Sequence, residues 1–287
     1  MASVTTLLAD CPTPSTATAT VTLTRRTGQF TVNANGDQVS FSPGNLQYQA
    51  STNTWRFAPH QYSYVGNAVG NTNPTSNQPG WIDLFGWATS GWDNGNRNAY
   101  QPWSVSQTNS DYGVTATKAS SETLTGSYAN GDWGVYNAAQ LGSGWRTLTY
   151  AEWAYLVDTR STTSGIRYAK ATVTGIQGLI ILPDDWSTSY YSLSSTNTAN
   201  AAYNTNTISA DDWRTSLEAY GAVFLPCAGY RDATAVGNAG SSGYYWSSTA
   251  IYDGGTYDLR IASDNVQAAH WDGRSKGFSV RLVQDLQ

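Results

Sequence analysis

Catalysis requires a nucleophile with a base, a metal cage or a cofactor cradle, and residues able to build these are scarce here. The chain has 2 His, 2 Cys and 1 Met. His60 and His270 are remote from each other, and Cys11 and Cys227 form neither a CxxC pair nor a zinc spacing. There is no GxSxG elbow, no Cys-His neighbourhood and no phosphate-binding glycine loop. The adjacent carboxylates are Asp184-Asp185 and Asp211-Asp212. The second pair opens an expected helix, where the positive end of the dipole accounts for it, and the first follows Pro183 in a turn. A glycosidase pair drawn from distant acids stays open. The reading is a non-enzyme with no catalytic residue, no metal site and no cofactor.

Composition narrows the remaining classes. The 287 residues include 15 basic and 20 acidic side chains, a net charge of −5, 12 Trp and 19 Tyr. A chain of this length buries a sufficient core without disulfide or metal staples. It lacks the basic stripe that releases phosphate counterions, so no nucleic-acid partner is expected. The longest apolar run, Gly178-Leu179-Ile180-Ile181-Leu182, falls far short of the roughly 20 residues of a bilayer helix, so no membrane span is expected. Leu7-Leu8-Ala9 before Cys11 faintly suggests a lipoprotein signal, but no basic region precedes it and Asp10 stands where a small residue belongs. Residues 1–29, rich in Thr, Ser, Ala and Pro, are expected to be a connector or attachment segment, and 30–287 the folded domain.

Strands and hairpins are expected at 31–32, 39–41, 46–48 and 55–57, with Ala34-Asn35-Gly36-Asp37 as a tight turn. Residues 66–113 read as a long loop whose rings, Trp81, Phe85, Trp87, Trp92 and Trp103, either form a carbohydrate-stacking platform or pin the insert; pinning is the expected role. Two helices are predicted. Thr149 and Glu152 form a capping box ahead of Trp153, Leu156 and Val157; Ser209 caps a second helix reaching Tyr220, with Trp213 and Leu217 inward and Gly221 as the stop. A buried strand at 222–226 and short strands ending in 278–283 complete an α+β fold.

Three ordered blocks carry a resemblance. Gly144-Trp145-Arg146-Thr147-Leu148-Thr149-Tyr150-Ala151-Glu152-Trp153 resembles the "GWRLPTxAEW" signature of C-type-lectin-like domains in the formylglycine-generating-enzyme superfamily. Val223 to Arg231, Gly243 to Thr249 and Gly277 to Val283 resemble "FLPAAGYR…GYYWSST…GFSVRLV" of its Bacteroidetes branch, which includes variable proteins of diversity-generating retroelements. The resemblance covers about 30 to 283 and implies a C-type-lectin-like fold with two main helices, many short antiparallel strands and long loops. That fold hosts several functions. The oxidase of the superfamily uses a pair of redox cysteines, whereas Cys227 stands alone in this half. Calcium lectins use Glu-Pro-Asn or Gln-Pro-Asp with Trp-Asn-Asp, of which Gln78-Pro79-Gly80 and Trp271-Asp272-Gly273 are broken versions.

The retroelement reading implies framework residues interleaved with rewritten binding positions near the C-terminus, at about 250–277. In Thr256 to Asp264, Tyr257, Leu259 and Ile261 alternate with Asp258 and Arg260, and a period of two sends the apolar set inward and Asp258, Arg260 and Asp264 to an exposed face. The flanking pieces lack periodicity and have the Tyr, Trp, Asp, Gly and Ser composition of paratopes. The expected ligand-binding residues are Ile251, Tyr252, Asp253, Gly254, Asp258, Arg260, Ala262, Asp264, Gln267, His270, Trp271, Asp272, Ser275 and Lys276. Trp271, beside His270 and Tyr252, is expected to be an exposed hot spot, and Trp246 to be core. Rewriting the adenines of an Asn codon cannot yield Trp271, Gln267 or Lys276, which require another template codon such as one for Lys. The resemblance implies a display protein at a virion tail tip or on a bacterial cell surface, where a homotrimer would add multivalency, and a protein or glycan receptor on another cell. The competing readings are a carbohydrate-binding adhesin with a fixed site and an oxidase relative.

Overall fold

In the computed structural model, which describes residues 26–115, 123–251 and 254–286, the first strands form as their turn chemistry dictates. Phe30–Thr31 and Gln38–Phe41 pair antiparallel around a turn in which Gly36 takes φ +88°, a left-handed conformation that glycine adopts without steric cost. Gln38–Phe41 then pairs with Leu282–Leu286, which pairs in turn with Trp145–Thr147, so sequence-remote strands share one sheet. The predicted last strand is displaced. Phe278, Ser279 and Val280 bond separately to Phe85, to Tyr244 and to Leu46, and a continuous ladder begins only at Leu282. Arg26 to Gln29 already lie against the body: the Arg26 amide donates to Ala219 O at 3.1 Å and its guanidinium pairs with Asp185.

A second sheet joins Val223–Pro226, Ile176–Ile181 and Tyr168–Val173 antiparallel, with Thr207–Ile208 added parallel. Both predicted helices are present. Thr149 and Glu152 form the capping box over Tyr150–Ala154, and the helix continues as a wider π turn to Thr159 with Trp153, Leu156 and Val157 buried. Ser209 caps Ala210–Asp212, the chain stays helical to Tyr220, and Gly221 ends it at φ +86°. Short helical turns at Val69–Thr72, Trp133–Tyr136 and Ala138–Leu141 were not legible in the periodicity. The whole is α+β and mostly sheet. Among the described residues no helix is long and apolar enough to cross a membrane.

Two features hold the third sheet, Gly243–Ala250, Gly255–Ala262 and Asn265–Gly273, in place. One apolar cluster joins Phe30, Phe41, Trp153 and Leu156 to Tyr245, Leu259 and Ile261; another joins Trp55, Phe85, Trp87 and Trp133 to Trp246 and Phe278. The long loop is pinned as expected through Phe85 and Trp87, both fully buried, with Trp87 Nε1 donating to Ser247 O at 3.0 Å and Trp246 Nε1 to Phe85 O at 2.6 Å. Trp81, Trp92 and Trp103 are only half-buried. Elsewhere Asp184 ties three segments: it accepts from Thr31 N (2.8 Å), Thr31 Oγ1 (2.7 Å), Gln38 Nε2 (3.0 Å) and the buried Arg160 Nη1 (2.7 Å). The Asp184-Asp185 pair is thereby a structural junction.

Candidate ligand-binding face

The three-stranded sheet is read most directly from its register. Along the middle strand, Tyr245 faces Leu259 and Gly243 faces Ile261 on the inner side, while Tyr244 faces Arg260 and Trp246 faces Asp258 on the other. Leu259 and Ile261 are fully buried, as the period of two requires. The outer strand, Asn265–Gly273, has a bulge: Asp258 pairs with His270 and Arg260 with Gln267, leaving Ala268 and Ala269 together opposite Leu259. An extra residue reverses the sidedness of everything beyond it. His270 is thus turned onto the same side as Gln267, Arg260 and Asp258, and Trp271 is sent to the opposite side, opposite Tyr257.

This corrects the expectation that Trp271 and His270 form one hot spot. Trp271 is 58% exposed, the largest value among the exposed large apolar side chains of the described residues. It continues an aromatic row in which Tyr257 stacks on Tyr150 with centroids 4.2 Å apart. His270 stands over the other face, its ring 6.0 Å from Tyr244.

Four further expected ligand residues prove buried. Asp258 is inaccessible because Trp246 flanks it on one strand and His270 on the other. Ile251 folds back with its amide donating to Gly255 O at 3.1 Å. Ala262 is buried, with Lys170 Nζ donating to its carbonyl and to Ser263 O at 3.0 Å. Ser275 lies under Asn109, whose Oδ1 accepts its amide at 3.1 Å. Gly254, half-buried at φ +74°, abuts the same Asn109. Tyr252 and Asp253 lie outside the described residues. The structure brings Arg260, Gln267, His270, Asp272 and Lys276 to partly exposed positions, with Asp264 at the hairpin tip.

Electrostatically the face centres on His270 and Asp258. His270 Nδ1 lies 2.9 Å from Asp258 Oδ2 and 3.1 Å from Oδ1. Burial pushes the Asp258 carboxyl up to about 6 against the lowering influence of His270. Burial also opposes the charged imidazole, but the hydrogen bond and charge of Asp258, aided by Asp272, outweigh it and leave His270 raised. Around them, Lys276 Nζ pairs with Asp232 Oδ2 at 2.7 Å and lies 5.9 Å from the Tyr230 ring centre, and Gln107 Nε2 donates to Asp232 Oδ1 at 3.2 Å. The charged groups are therefore held in place before any ligand arrives, which lowers the ordering cost of binding. Cys227, by contrast, is buried beside Tyr203, its thiol pushed up to about 12 by burial.

Residues 183–283 are similar to the family described as Domain of unknown function (DUF8237). The similarity spans the whole three-stranded sheet and the helix capped by Ser209. No curated protein and no solved structure matches the chain.

Several contributors had no sequence signal. Tyr244 and Tyr230 floor the polar side of the sheet, edge to face at 5.7 Å. Arg274 is fully buried under Gly255 O and beside the Trp87 ring, 4.8 Å from its centre. Asn109, from the long loop, fits against Gly273 so closely that a Cβ there would lie 2.5 Å from its Oδ1. Only the glycine could have flagged this approach.

Proposed function

We propose that this chain is a non-enzymatic ligand-binding display protein with a C-type-lectin-like fold, diversified by a retroelement, whose binding surface is the exposed part of 254–276. The observation that carries the reading is the division within one sheet. Tyr245, Trp246, Leu259 and Ile261 build two apolar clusters, while Arg260, Gln267 and Trp271 leave the same strands toward solvent and Lys276 follows just beyond them. Stability and recognition are thus carried by different residues, and exposed substitutions usually change stability by less than about 0.5 kcal/mol. The pairing of an early strand with the last one, and the capping-box helix against the sheet, support the C-type-lectin-like fold.

On this reading the ligand is a protein or glycan receptor on another cell, and the protein sits at a virion tail tip or on a bacterial cell surface, where a homotrimer would add avidity. The buried, protonated thiol of Cys227 favours it over an oxidase relative.

Sequencing the encoding locus in several isolates tests the proposal. A near-copy of the codons for 250–283 beside a reverse-transcriptase gene is expected, with differences only where the copy has adenine. The differing codons should include exposed positions such as 260, 267, 271 and 276, and should avoid Leu259, Ile261 and Arg274. Absence of any copy, with invariant codons, refutes it.

A further inference from the structure

Away from that face, the long loop closes over a cavity of about 340 Å³, at the lower end of the roughly 300–1,000 Å³ typical of small-molecule sites. One wall is aromatic. Trp103 stacks on Tyr48 at 5.9 Å and 23°, and Tyr48 packs on Trp55 at 4.6 Å. Tyr136, 44% exposed, stands across the mouth, its ring 3.6 Å from where Gly91 would carry a Cβ. Among the described residues the remaining lining is amide and hydroxyl side chains with Ala50, Gly91 and Pro102, and none of it is charged.

The amides are preset. Gln140 accepts the Trp55 amide at 2.9 Å and donates to Asn53 O at 3.2 Å. Asn137, largely buried, donates through Nδ2 to Ser90 O and Trp133 O, both at 3.0 Å, which fixes its orientation and leaves its carbonyl oxygen as an acceptor. The Gln101 amide and the Tyr136 hydroxyl make no hydrogen bond among the described residues. Aromatic rings suit the C–H faces of a pyranose, and oriented amides suit its hydroxyls. Phosphate and carboxylate ligands would find no cation among the described lining residues, and a purely apolar ligand would strand the amides.

We propose that this cavity binds an uncharged saccharide, independently of the display reading and of residues 254–276. The loop thereby has two roles: Phe85 and Trp87 anchor it, and Trp103 offers a binding ring.

The test is calorimetric titration of the full chain with neutral probes: glucose, galactose, mannose, N-acetylglucosamine, N-acetylgalactosamine and their disaccharides. At least one is expected to bind with a Kd of about 1 mM or tighter. Affinity should fall about tenfold or more in Tyr136→Ala and in Gln101→Ala, whose side chains lie outside the buried core. It should be unchanged by Trp271→Ala, by EDTA and by raised salt, since no ion takes part. Failure of every probe to bind overturns the proposal. So does binding that survives both cavity substitutions, or that is lost in Trp271→Ala or with EDTA.

Discussion

Asp184 and Asp258 are both carboxylates held by a basic side chain, Arg160 and His270 in turn, and their surroundings set them apart. Asp184 joins the first hairpin to Arg160 through four donors. The Asp258 side chain is fully buried and, among the described residues, hydrogen-bonds only to His270, a side chain whose own exposure is 25%. A carboxylate saturated with donors is a fixed joint. One dependent on a single titratable donor at the surface makes its region responsive to protons and to whatever touches that donor.

The largest effect is expected at the fixed joint. Arg160→Met removes the buried cation and leaves Asp184 with unmatched charge, and should cost about 3–5 kcal/mol by urea denaturation. A loss below about 1 kcal/mol would show that the junction carries little stability.

The second prediction concerns the responsive site. Both pKa values of the Asp258–His270 pair are raised on folding, so the folded state binds protons more tightly than the unfolded chain. The Asp258 contribution is present below its ordinary 3.8 and is lost as pH rises toward about 6; that of His270 is present below 6.5 and is lost as pH passes its raised folded value. Asp83, pushed up to about 6 by burial, adds to the same slope. Unfolding free energy should therefore fall as pH rises from about 4 to about 6 and again above 6.5, and Asp258→Asn should recover about 1–3 kcal/mol of that fall. His270→Ala should cost about 1–3 kcal/mol, because it leaves the buried Asp258 carboxyl without its hydrogen-bond partner. Equal slopes for wild type and Asp258→Asn would remove the proton-sensitive role.

The smallest change in stability marks the outer surface. Trp271→Ala should alter stability by less than about 0.5 kcal/mol, whereas Trp246→Ala, at a fully buried ring, should cost about 3–5 kcal/mol. Comparable losses for the two would assign Trp271 to the core.

Local chemistry was legible in the sequence: the Thr149–Glu152 box, the Ser209 cap, Gly36 and the inward Leu259 and Ile261 all rest on neighbours a few residues apart. What escaped depends on partners distant in the chain. The bulge at Ala268-Ala269 exists only relative to the middle strand, and it reverses the facing of His270 and Trp271. Asp258 alternates correctly, yet it is buried because Trp246 and His270 close over that side of the sheet. Asn109 meets Gly273 across more than 160 residues, with no pattern to announce it.

Lys170 and Arg231 direct their donors to peptide carbonyls: Lys170 to Ala262 and Ser263, Arg231 to Leu84, Ala233 and Ser104. A peptide oxygen is chemically the same whichever side chain its residue bears. Exchange of Ser263 or Ser104 would leave every one of those donor–acceptor pairs intact. The anchors read the path of the chain and not its spelling, so the alphabet used at the surface is free of the scaffold that holds it.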